Sequence, residues 1–185
     1  MKQYRNSERT KNRIRRAFTE LISEKKSIDK ITVNELSARA DITKTTFYYH
    51  YDDIYAVAEE FENELIANLN ETLNKIVVGS PADYSKYIEN ILRFIKSNEE
   101  NYRLVANASE LTIFASKLKN IFAKRMSAAA IPYGFSQDYE KRAVQVNFLI
   151  NACVDTMIQY LKGELTCPIE LIGEVVIETV EKLRK

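Results

Sequence analysis

The chain is poor in residues that break or staple a fold. Four glycines and three prolines in 185 residues leave little material for tight turns, so long helices are expected and a hairpin-rich β architecture is excluded. Only His50 offers an imidazole, and Cys153 and Cys167 stand without metal-ligand spacing; no metal and no other cofactor is expected. The two thiols are read as buried and reduced, with a redox-sensing pair as the alternative. No glycine-rich phosphate loop opens a helix, and no nucleophile–base set surrounds His50. An enzymatic site is therefore not expected, although a carboxylate pair assembled by the fold stays open. No apolar run approaches the roughly 20 residues of a membrane span. The N-terminus is charged rather than a signal peptide, so the expectation is a cytoplasmic protein without a membrane partner.

Net charge is nearly absent overall, yet it is unevenly placed. Residues 1–50 hold 12 Lys and Arg against 6 Asp and Glu, and the rest hold 15 against 20. A basic head of +6 thus precedes an acidic body of −5, the asymmetry expected when only one end meets a polyanion.

What is present is concentrated in that head. Ile14, Ala17, Phe18, Leu21 and Ile22 recur at helical spacing and predict a helix over 9–26 with one buried stripe. Thr32 and Glu35 form an S/T-x-x-E capping box, and Ile31 and Leu36 have the spacing of a hydrophobic staple. A second helix therefore begins at Val33, with Val33, Leu36 and Ala40 as its apolar stripe. The stripe breaks at Asp41-Ile42-Thr43, and Thr43 is expected to cap a short third helix, Lys44–His50, anchored by Phe47. Lys44, Thr45 and Thr46 fill its first turn, where a helix laid in the major groove meets base edges. Tyr48, Tyr49 and His50 follow, with polar tips suited to phosphate oxygens. Asp52 is expected to cap a fourth helix.

The ordered set Ala17-Phe18, Ile31-Thr32-Val33 and Ile42-Thr43-Lys44-Thr45-Thr46-Phe47-Tyr48-Tyr49-His50-Tyr51 resembles the TetR family of transcriptional regulators. The close match covers about the first quarter of the chain. It implies an all-α protein with a three-helix helix-turn-helix DNA-binding domain over 1–52. A helical effector-binding and dimerisation domain over 53–185 would follow. By that resemblance the chain is a homodimer on a near-palindromic double-stranded DNA operator, a repressor released by a small-molecule effector. Lys44, Thr45 and Tyr49 are assigned to bases, and Thr32, Thr43, Tyr48, His50, Arg9 and Arg13 to phosphates, with Thr46 beside them. Two positions depart from the family. Ile54 stands where its members carry a lysine that meets a phosphate, and Thr45 replaces a smaller residue. A TetR-like co-regulator acting through a protein partner, without small-molecule control, stays open as the alternative.

Apolar spacing beyond the head predicts helices over 53–77, from Ser80-Pro81 onward, over 99–107 and 110–130. After a break at Pro132 and Gly134 two more follow, over 137–162 and 168–184. The last two are apolar around more than one side and must bury more than one side. Val146, Ile150, Val154, Met157, Ile172, Val175, Val176 and Val180 are therefore expected against a second copy of the chain. Phe61, Tyr87, Phe94, Tyr102, Phe114, Phe122 and Phe148 lie on helices that in similar regulators surround an apolar effector pocket, for which they are the aromatic candidates. Asn147, Asn151 and Asp155 form a polar row expected in solvent, with cavity lining as the alternative.

Overall fold

The computed structural model describes residues 2–75, 83–107, 112–129 and 135–183, and their regular structure is entirely helical. In chain order the helices are α1 (Lys2–Lys25), α2 (Val33–Arg39), α3 (Lys44–His50) and α4 (Ile54–Lys75). Then come α5 (Asp83–Ser97), α6 (Glu99–Asn107), α7 (Thr112–Ala129), α8 (Tyr139–Lys162) and α9 (Ile169–Leu183). A single 3₁₀ turn, Ile28–Lys30, lies between α1 and α2. Helix α1 starts well before the position read from the sequence, because residues 2–8 are mostly polar and carry no stripe to reveal it. The expected cap at Ser80, the start at Pro81 and the break at Pro132 and Gly134 lie outside the described residues.

Local chemistry sets the boundaries. At α2 the capping box closes in both directions: Glu35 N donates to Thr32 Oγ1 and Thr32 N to Glu35 Oε2, each at 3.2 Å. Thr43 caps α3, its Oγ1 accepting from Thr46 N at 3.1 Å. Asp53, not Asp52, caps α4, accepting from Ala56 N at 2.8 Å. The cap must stand immediately before the first helical residue, and α4 opens at Ile54. Asp138 caps α8, which ends on Gly163 in the left-handed region at φ 79°.

Ile14, Ala17, Phe18, Leu21 and Ile22 of α1 are buried with Leu36, Ala40 and Phe47 in one small core. That core is continuous with α4 through Ile54, Val57, Ala58 and Phe61, and Phe18 meets Phe61 edge-on at 6.1 Å. In the body α7 and α6 pack on α8, α5 packs on α9, and α4 touches α5, α6 and α7. The approach of α9 to α5 is close at Gly173, where a Cβ would lie 2.3 Å from Leu92 Cδ1.

Leu36→Ala is expected to lower unfolding stability by about 2–5 kcal/mol, whereas exposed Tyr49→Ala stays within about 0.5 kcal/mol; urea denaturation reads both. The Glu35 carboxyl is drawn from 4.5 to about 2, first by Lys25 and then by the Thr32 hydroxyl and backbone. A depressed carboxyl adds its stability in full above 4.5 and loses it as pH falls toward about 2. A carboxyl-carbon NMR titration should therefore place the Glu35 midpoint near 2, and Lys25→Ala should raise that midpoint.

Candidate nucleic-acid interface and body cavity

Helix α3 is held by one side chain and displays the others. Phe47 is 0% exposed, while Tyr48 is 57% and Tyr49 77% exposed. Lys44 and Thr45 are exposed in the first turn, and Thr46 and His50 are half-buried at the edges. Thr46 Oγ1 lies 2.9 Å from Thr43 Oγ1, and the His50 ring stands edge-on to Tyr49 at 5.1 Å. Seven residues make too short a helix to persist alone; the Thr43 cap and Phe47 hold it in place. The outer surface therefore carries a cation, two hydroxyls and two phenols in fixed positions, with Thr32 exposed nearby at the start of α2.

The turn before α3 is less ordinary than its sequence. Asp41 takes φ 50°, a left-handed conformation that Asp tolerates better than most residues. Arg13 of α1 donates from Nη2 to both the Asp41 carbonyl and its carboxylate. Arg13, expected on phosphate, thus has a structural partner already: it braces the turn that aims α3. Other head cations are paired too. Lys25 meets Glu35 at 2.6 Å, Arg39 meets Glu24 at 2.8 Å, and Arg16 meets Glu20 at 3.1 Å. Among the described residues neither Arg9 nor Lys44 is in an ion pair, and both are exposed. These four pairs lie within the head, so their charges already cancel in its net +6.

Two further pairs reach across to α4. Lys11 Nζ bonds Glu60 at 2.8 Å and lies 5.3 Å above the Tyr51 ring, and Arg15 bonds Glu64. Burial, then neighbouring Glu60, pushes the Tyr51 phenol above its ordinary range. Ile54, at the start of α4, is only 6% exposed and fills the core.

A partly open cavity of about 350 Å³ lies between α4, α5, α6, α7, α8 and α9, within the ~300–1,000 Å³ typical of small-molecule sites. Tyr87, Tyr102 and Phe122 line it. Phe61, Phe94 and Phe114 do not: Phe61 belongs to the head-side core, and Phe94 and Phe114 pack on Tyr102, each with its ring 6.4 Å from the tyrosine ring. Phe148 points outward at 67% exposure, which corrects its assignment to the pocket. The expected dimer residues need a similar correction. Ile150, Val154, Met157, Ile172 and Val176 face the cavity, and Val146 and Val180 are buried within the chain. Of that set only Val175 is exposed; the large aliphatic and phenyl side chains that α8 and α9 turn outward include Val144, Phe148, Leu171 and Val175. A helix apolar all round does not reveal from sequence which side meets its own body. Asn147 and Asp155 are exposed, Asn151 bonds back to Asn147, and Asp155 pairs with Lys119 at 2.7 Å, so the polar row is a surface.

Sequence reading placed neither Arg125 nor Cys153 at the cavity. Arg125 lines the wall, held by Asn70 and Asn74 of α4. Cys153 also lines it, and burial pushes its thiol from 9.0 to about 11. Cys153 and Cys167 are both free thiols. Arg125 and its asparagine partners lie far apart in sequence, and no local pattern joins them.

No described helix is long and apolar enough to cross a membrane. No protein-family model matches the sequence, and no curated protein matches it. Among solved structures the chain is similar to a transcriptional regulator of the TetR/AcrR family from Aquifex aeolicus VF5. The two are 17% identical, with a TM-score of 0.58 over 94% of this chain and 99% of the other. The all-α fold implied by the N-terminal motif is thus the fold of a regulator of that kind.

Proposed function

We propose that this chain is a sequence-specific DNA-binding transcriptional regulator, working as a homodimer and acting as a repressor whose operator is released when a small molecule fills the body cavity. The observation that carries this reading is α3: one buried aromatic, with Lys44, Thr45, Tyr48 and Tyr49 displayed on a basic head. Residues 1–52 form the reading unit and 53–185 the sensing and pairing unit. Lys44, Thr45 and Tyr49 contact base edges; Thr32, Thr43, Tyr48, His50 and Arg9 contact phosphates around them, and Thr46 supports the first turn. Arg13 contributes by holding Asp41. The outward residues Val144, Phe148, Leu171 and Val175 pair with a second copy, setting two α3 helices one DNA turn, or a multiple, apart. Filling the cavity shifts the population toward a head spacing that no longer fits the operator, by no more than the ligand's differential affinity for the two states.

The second reading, a co-regulator acting through a protein partner, draws on Ile54, which brings no cation to the start of α4 and is buried. A salt titration separates the two, because each phosphate contact adds about −0.9 to the slope of log K against log salt.

Lys44→Ala should weaken operator binding by about 1–3 kcal/mol and relax specificity. Tyr48→Ala should weaken it by about 0.5–1.5 kcal/mol across sequences alike. Gel shifts at fixed salt read both, with circular dichroism to show intact folding; undiminished affinity in both variants contradicts these contacts. Phe148→Glu combined with Val175→Glu should give a monomer in sedimentation that has lost operator affinity, whereas a dimer surviving the double change places the pairing surface elsewhere.

A further inference from the structure

Arg125 is the exception in the cavity. Every other described lining residue is apolar or uncharged, including Tyr84, Tyr87, Tyr102 and Cys153. Arg125 is half-buried at the wall; its guanidinium stays charged at any pH a protein survives, and the part turned from water needs partners. Compensation here is partial. Arg125 Nη2 donates to Asn70 O at 3.2 Å, to Asn70 Oδ1 at 2.8 Å and to Asn74 Oδ1. All three acceptors are neutral. Among the described residues no carboxylate pairs with Arg125, and its Nε and Nη1 make no bond. The Cys153 thiol, pushed up to about 11, adds no negative charge to the wall.

We infer that the cavity takes an amphiphile with an apolar body and one carboxylate head, and that Arg125 receives this head in exchange for Asn70 and Asn74. The inference rests on the effector reading above and gives it a ligand class. A planar guanidinium matches a carboxylate through two parallel bonds, which neutral amides on a neighbouring helix cannot offer. A doubly charged head such as a phosphate monoester would leave one charge uncompensated, since the described wall holds no second cation. The exchange also removes the bonds that tie the C-terminal part of α4 to α7, while Glu60 and Glu64 hold the other part to α1.

Calorimetric titration of the full-length protein with n-alkanoates from octanoate to palmitate, and with alkanols of the same lengths, tests this. The acid of best-fitting length should bind about tenfold more tightly than its alcohol, the difference between a charged and a neutral hydrogen-bonded pair. Arg125→Met should erase that preference and leave alcohol affinity in place. Asn70→Ala with Asn74→Ala should tighten the acid alone, because both side-chain competitors for Arg125 are gone and only the Asn70 carbonyl stays; a purely structural role for these residues would not do so. Equal affinity for acid and alcohol, or a preference that survives Arg125→Met, overturns the inference and leaves the cavity as a neutral-ligand site. Binding of neither class overturns it as well. Should Arg125→Met not fold, failure of the asparagine pair to tighten the acid is decisive against it. These titrations contain no DNA, so acid selectivity together with an absence of operator binding would sink the regulator reading and leave the ligand assignment standing.

Discussion

Head and body meet along one helix, α4, which packs on α1 in the head and on α5, α6 and α7 in the body. Near its start α4 is fastened to α1 by Lys11–Glu60 and Arg15–Glu64, and near its end to α7 by Asn70, Asn74 and Arg125. From Glu60 to Asn74 the helix runs about 21 Å. Between the two grips Phe61, Leu65, Leu69 and Leu73 lie in a continuous core, and Tyr102 of α6 donates to the Leu65 carbonyl at 3.2 Å. A close-packed helix transmits displacement as a body rather than bending to absorb it. On the proposed reading, a change at the cavity end of α4 would reach α1, which carries the turn before α3 on Arg13.

The head depends on a small number of local devices. A seven-residue α3 has little intrinsic stability, so its existence rests on the Thr43 cap, on Phe47 and on the orientation of the preceding turn. Asp41 is strained in the left-handed region and is compensated by the doubly bonded Arg13. That arrangement keeps the exposed face of α3 fixed relative to α1, which is what two hydroxyls and two phenols need in order to read a groove rather than merely adhere to it. Among the described head residues Arg9, Lys26, Lys30 and Lys44 are in no ion pair, and on this reading contact with DNA draws on Arg9 and Lys44.

Much of this was legible in the residues themselves, and the rest was not for physical reasons. Caps are local: Thr32 with Glu35, and Thr43 before Lys44, announce α2 and α3 because each motif is complete within four residues. The body helices are marked by apolar spacing, and α6 was bounded correctly by it. Facing direction is a tertiary property, which is why Ile150, Val154 and Met157 were placed outside and Phe148 inside when the structure does the reverse. Arg125, Asn70 and Asn74 carried no signal, since a cation beside two amides acquires meaning only when two distant helices come together. The cap at Asp53 rather than Asp52 shows the usual limit of one residue at a helix end.

The most direct test is selection of duplex DNA from a random pool by the full-length protein at physiological salt, followed by sequencing. An enriched site with two inverted half-sites, centred about 10–10.5 base pairs apart or a multiple of that spacing, is the expected result. A pool that stays random, or a winner with one half-site only, contradicts a paired display of α3.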